Sequence, residues 1–78
     1  SLFPFSQIAE EIKALHTDVE KVAFSKTIST NFIKTDTIPT FEIVWKNNVP
    51  SKTKSSENKK LENWLRKKLK DESVVVIK

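Results

Sequence analysis

The residue types that could do chemistry in this sequence are one histidine, two adjacent acidic pairs and a lysine-rich second half. His16 is the only histidine and there is no cysteine. A zinc site made by one copy of the chain would therefore lack the nitrogen and sulfur ligands it needs. The serines and threonines form no recognisable nucleophile–base arrangement around a single histidine. Glu10-Glu11 and Asp71-Glu72 are sequence neighbours, which on a helix project to different sides and make no acid–base couple. His16 reads as a helix-end residue favoured by the dipole, and the acidic pairs read as a helix start and a turn. No catalytic residue, metal ligand or cofactor site follows, so the chain reads as non-enzymatic with no small-molecule substrate.

The absence of glycine excludes Gly-rich phosphate loops and disfavours tight primed turns, both of which need residues that accept positive φ. Without cysteine there is no disulfide framework, and the redox compartment stays open. No apolar run approaches the roughly 18 residues of a membrane span, and the start lacks the order of a signal peptide. The absence of any methionine, position 1 included, leads us to expect a piece cut from a longer polypeptide or a processed chain.

The net charge of +4 is unevenly spread. Residues 1–45 carry four lysines against six acids, whereas residues 46–70 carry nine basic residues against Glu57 and Glu62. A basic field of this kind attracts nucleic acid, anionic lipid or an acidic protein surface, and it also keeps a small domain dispersed. Lys52, Lys54, Lys59 and Lys60 precede or open a predicted helix, where positive charge opposes the dipole. Helix stability does not explain them, so they are the candidate anion-binding set. Base-specific readout is poorly supported, because the basic set holds a single arginine, Arg66, and no exposed aromatic is interleaved with it. Trp45 and Trp64 both fall at periodic core positions.

The elements that must position these groups follow from periodicity. Ser6 is the expected N-cap of a first helix whose stripe is Ile8, Ile12 and Leu15, with Phe5 folding back as a staple. From Val19 the period becomes two, with Val22, Phe24 and Ile28 on one face. Lys26 interrupts that face, which means either that the strand leaves the core there or that the lysine stem crosses its edge. The run from Ser29 to Asp36 reads as a polar connection too long for a tight hairpin turn. Thr37 to Lys46 is a second strand with Phe41, Ile43 and Trp45 on one side, and Pro39 favours an edge or the strand entrance. Asn47 to Lys54 reads as an exposed loop.

A second helix is expected from Ser55 or Ser56 to Lys70, with Leu61, Trp64, Leu65 and Leu69 as its apolar stripe and a basic back. Val74 to Ile77, continuously β-branched, reads as a strand covered on both faces or paired centrally. The fold class is therefore α+β: a two-layer α/β sandwich in the order α-β-β-α-β, a single small domain over residues 1–78. Its three-stranded mixed sheet carries both helices on one face, and the third strand runs parallel to the second. At 78 residues there is one core and little room for a deep active site.

Two resemblances accompany this reading. The element order resembles the BON domains, which are periplasmic and lipid-associated but rely on glycines that are missing here. At the level of residues, Asp36-Thr37-Ile38-Pro39, Val44-Trp45, Leu61-Glu62-Asn63-Trp64-Leu65 with Leu69, and Ser73 to Ile77 look like the soluble tail domain of a family of uncharacterised bacterial multi-pass membrane proteins. That resemblance implies a non-enzymatic domain fused to a membrane region and facing the aqueous side. The expected function is interaction or regulation within a larger bacterial protein. It would bind a protein partner or its own copies through the open sheet face or an edge strand. The alternative is a weak nucleic-acid- or anion-binding module using the basic loop and second helix.

Overall fold

The computed structural model describes residues 3–77. Its elements are α1 (Phe5–Leu15), β1 (Val19–Thr30), β2 (Thr35–Trp45), α2 (Ser51–Leu69) and β3 (Val75–Ile77). The sheet order is β1-β2-β3, with β1 antiparallel and β3 parallel to β2. This is the expected α+β arrangement, in the expected order.

Both helices cover the same face of the sheet. Ile8 and Ile12 from α1 and Leu61 and Leu65 from α2 close on Phe41, Ile43 and Trp45 of β2, all of them buried in one cluster. Burying a side chain such as Phe41 contributes roughly 1.5–3 kcal/mol, so a core of this size supplies most of what a small domain has. At the base of the sheet the aromatic rings of Phe3, Phe5, Phe24 and Phe41 gather, with Phe3 stacked on Phe24 at 4.3 Å. Lys68 ties the two helices by an ion pair to Glu11 at 3.0 Å.

Several boundaries differ from those read in the sequence. α1 starts at Phe5 after Pro4, one residue before the Ser6 cap expected. Its amide bonds begin with Ile8 N–H to the Pro4 carbonyl, because proline fixes the entry φ without needing a hydroxyl cap. α2 starts at Ser51, not at Ser55 or Ser56. Pro50 sits at its entrance with φ −63°, its carbonyl accepting from Lys54 N–H at 3.0 Å. Val49, placed by its sequence in an exposed loop, is buried and pins that entrance. Lys52 and Lys54 therefore lie in the first turn of the helix.

The expected polar connection is a hairpin. β1 runs on to Thr30 and β2 begins at Thr35, so only four residues, Asn31 to Lys34, lie between the strands. With no glycine available, Phe32 takes the left-handed backbone at φ 70°. Side chains secure the turn: Asn31 Oδ1 accepts from Ile33 N–H and Lys34 N–H, and Thr30 Oγ1 accepts from Phe32 N–H.

Burial also corrects four assignments. Ile28 and Leu15, placed on core faces by their spacing, are 75% and 59% exposed. The helices do not reach as far as Ile28, and α1 ends at Leu15 with no element beyond to cover it. Of the two readings of Lys26, the strand does leave the core there, since every residue from Ser25 to Thr37 is exposed. β3 is a three-residue edge strand, with Ile77 46% exposed, rather than a central one. The buried member of its apolar run is Val74, just outside the strand. Trp45 is buried, whereas Trp64 lies at the rim, partly buried against the core with Lys68 Nζ 5.8 Å from its ring.

Candidate functional site

The titratable groups resolve into structural clasps. His16 Nδ1 meets Glu57 Oε1 at 3.0 Å, joining the end of α1 to the second turn of α2, and Trp45 lies edge-on to the imidazole at 6.3 Å. Trp45 Nε1 in turn donates to Asn58 Oδ1 at 3.2 Å. Partial desolvation raises the Glu57 carboxyl, but the bonds to His16 and Lys60 outweigh it and hold the group below its ordinary range. Asp71 is likewise lowered, by the Ser73 hydroxyl and N–H that both donate to Oδ1. Among the described residues no three His, Cys, Asp or Glu side chains gather as a metal site.

The four lysines read as an anion set do not share one surface. Lys52 and Lys59, seven residues apart, lie on one side of α2, whereas Lys54 is about 200° round from Lys52 at 100° per residue and is half-buried. Lys60 pairs with Glu57 at 3.4 Å. The solvent side of α2 instead aligns Lys52, Lys59, Asn63, Lys67 and Lys70, all exposed. None of those four lysines pairs with an acid among the described residues.

The two sheet edges are unlike. On the β3 side α2 closes the edge: Glu62 Oε2 accepts from Val76 N–H at 3.0 Å and Arg66 Nε donates to the Val74 carbonyl at 3.0 Å, while Arg66 and Glu62 pair at 3.2 Å. Glu62 and Arg66, which the charge pattern presents only as helix-surface residues, thus do the work of a missing fourth strand. β1 is the other edge, and the ladder itself dictates which groups it leaves free. Asn31 N–H bonds the Lys34 carbonyl, which makes Thr30↔Thr35 a non-hydrogen-bonded pair. In the unbroken register above it, alternation extends this to Ile28↔Thr37, Lys26↔Pro39, Phe24↔Phe41 and Val22↔Ile43. Pro39 therefore costs the ladder nothing, because its nitrogen faces away from β1. The same alternation turns the N–H and C=O of Val22, Phe24, Lys26, Ile28 and Thr30 outward along the free edge.

The outer half of the hairpin stands clear of the helices as an arm, since every residue from Ser25 to Thr37 is exposed. At its tip Phe32 and Ile33 are each 94% exposed. A lysine, Lys34, flanks them, paired loosely with Asp36 at 3.6 Å. At the root of β1 the register shifts between Val19 and Lys21, and a groove of about 170 Å³ opens between that bulge and α1.

The model of a domain of unknown function, DUF8492, matches residues 4–78. The chain belongs to that family. No curated protein and no solved structure matches the sequence. The match spans every element described above, arm included, so the free β1 edge and the closed β3 edge both lie within the family's matched region.

Proposed function

We propose that this DUF8492 domain is a non-enzymatic interaction module that captures an extended protein segment along the free edge of β1. The observation that supports this reading is the row of outward main-chain groups from Val22 to Thr30 on a strand that no element covers. An added strand gains those hydrogen bonds, and pockets beside the edge read its alternate side chains. The resemblance to tail domains of membrane proteins would place such a module on a longer, membrane-anchored bacterial chain. Panning a random-peptide display library against the immobilised domain tests the reading. Extended peptides should be enriched and should be lost on Lys26→Pro, which deletes one outward N–H and spares the β1–β2 ladder. No enrichment, or enrichment indifferent to Lys26→Pro, would overturn it.

A second reading rests on the lysine stripe of α2, where Lys52, Lys59, Lys67 and Lys70 carry no opposing acid. It is a phosphate-backbone contact, sequence-independent and salt-steep. Titration with labelled single- and double-stranded oligonucleotides at low and moderate salt decides it. Binding should weaken as salt rises and on Lys59→Glu, and no binding at low salt eliminates this reading.

A further inference from the structure

We infer that the strand received by the β1 edge is β1 of a second copy, in an antiparallel two-fold pair in which the arm tip of each copy seats Phe32 in the groove between α1 and β1 of the other. This deepens the reading of β1 as a strand-capturing edge and rests on it.

The geometry of one copy carries the inference. In a two-fold antiparallel pair the outward-facing residues of one β1 must meet outward-facing residues of the other. With Ser25 on the axis, Val22 lies opposite the partner copy's Ile28 and Phe24 opposite its Lys26. Ile28, 75% exposed in the single copy, thereby gains an apolar neighbour. Continuing outward along the same register, Asn31 arrives beside the other copy's Val19, so Phe32 and Ile33 reach the bulged root of that strand. The groove lies at that root, with Ala9, Lys13, Val19 and Val22 among its lining. At about 170 Å³ the open groove has room for a phenyl ring, which would rest on Ala9, Val19 and Val22 with the Lys13 and Lys21 stems beside it. The arm thus carries two almost fully exposed apolar residues, and the pairing brings them to that groove.

Exposed apolar area and chain economy agree. The groove's charges balance, Glu10 and Glu20 against Lys13 and Lys21, so the tip is seated by its apolar residues and not by charge. Leu15, 59% exposed, ends α1 close to the root, where the partner's tip would cover it. A stable interface needs about 1,000 Å². An aromatic side chain buries about 150–250 Å², and the symmetry supplies Phe32, Ile28 and Leu15 twice. The opposite edge cannot compete, because Glu62 already occupies Val76 N–H. Phe32 also adopts positive φ at an aromatic residue, a conformation that tight turns normally assign to glycine or asparagine. A demand for the ring at the tip accounts for that choice.

Sedimentation equilibrium of the 78-residue chain, with light scattering on a sizing column, tests the proposal. The expected result is a dimer whose dissociation constant rises about tenfold or more for Phe32→Ser and for Lys26→Pro, with far-ultraviolet circular dichroism unchanged. Because the chain holds no native cysteine, Ser25→Cys gives a second readout. Two Ser25 positions on the axis form a non-hydrogen-bonded pair with Cα atoms about 4.5 Å apart, within disulfide reach. Oxidation should crosslink Ser25→Cys quantitatively, and Thr53→Cys on α2 should stay uncrosslinked. A monomer at all attainable concentrations overturns the inference, as does a dimer indifferent to both substitutions. A monomer that still selects peptides lost on Lys26→Pro would sink the homodimer and leave the edge-capture reading standing. A monomer that selects none would remove both.

Discussion

The two halves of the β1–β2 hairpin share one backbone and one register, yet they have opposite surroundings. From Val19 to Phe24, paired with Phe41 to Trp45, the inward side chains lie under two helices and the aromatic cluster of Phe3, Phe5, Phe24 and Phe41. From Ser25 to Thr37 the same ladder continues with nothing above it, and all its side chains are exposed. The lesson is that hydrogen-bonded pairing and burial are separable. The ladder and its turn keep the arm a hairpin, while stability comes from the half that the helices cover. A two-stranded ribbon is marginal alone, so the arm is held by the body's rigidity and by the side-chain bonds of its turn. Uncovered apolar residues on it contribute nothing to the folded state of a single copy.

That contrast can be broken most severely in the body. Phe41→Ala removes a fully buried ring at the centre of the core and should cost about 3–5 kcal/mol. That is comparable to the whole stability of a domain of this size, so thermal melts should show a chain largely unfolded at room temperature. Trp64→Ala, at the rim, should cost clearly less and leave a cooperative transition. A Trp64→Ala loss equal to that of Phe41→Ala would mean that the rim is core.

Next in size is Trp45→Phe, which keeps an aromatic ring in the core but shrinks the buried indole to a phenyl and deletes the donor to Asn58 Oδ1. The expected cost is about 1–2 kcal/mol, read by urea denaturation with an unchanged slope.

Smaller again is Glu57→Gln, which loosens the clasp to His16 and Lys60. It should cost under about 1 kcal/mol at neutral pH. Its sharper signature is pH dependence. Because the folded-state Glu57 carboxyl lies below its unfolded value, the unfolded chain takes up the proton first. The stabilisation is therefore complete above the ordinary carboxylate range and is lost as pH falls through that range to the depressed value. Asp71 contributes with the same sign. Midpoints measured on acidification should fall less steeply for Glu57→Gln than for the wild type.

The smallest change in stability belongs to the arm. Phe32→Gly relieves a non-glycine residue at φ 70° and should leave the single copy unchanged or up to about 1 kcal/mol more stable. The opposite result, destabilisation of a monomer by more than about 1 kcal/mol, would show that the tip packs on its own body. The contrast between the two halves would then be false.

Much of the body was legible in the residues. The period-two run Phe41, Ile43, Trp45 and the helical spacing of Ile8, Ile12, Leu61 and Leu65 specified element types, order and the inner face. Each of those side chains repeats at the period of its own element. Glu57 and Asn58 were legible as helix residues, but their partners His16 and Trp45 lie 41 and 13 positions away. No local pattern encodes such pairs. The hairpin was hidden because its turn has no glycine and depends on Thr30 and Asn31 side chains instead. The start of α2 was hidden because Pro50 and the buried Val49 set it, where hydroxyl caps at Ser55 and Ser56 were the stronger local signal.

By itself the sequence determined which residues are apolar, at what period they recur, and hence a helix–strand–strand–helix–strand chain with a basic second helix. Only the tertiary structure decided how far the helices extend over the sheet. That depends on where α1 and α2 end relative to strands of 12 and 11 residues. Ile28 has the alternation of a core residue and lies beyond the helices, so it is exposed. Glu62 and Arg66 have the spacing of an ordinary surface ion pair and face the edge of β3, so they close it. Periodicity assigns a side chain to a face. Whether that face is covered, and whether an edge is closed, is settled by elements distant in the chain, and this leaves β1 as the open edge of the molecule.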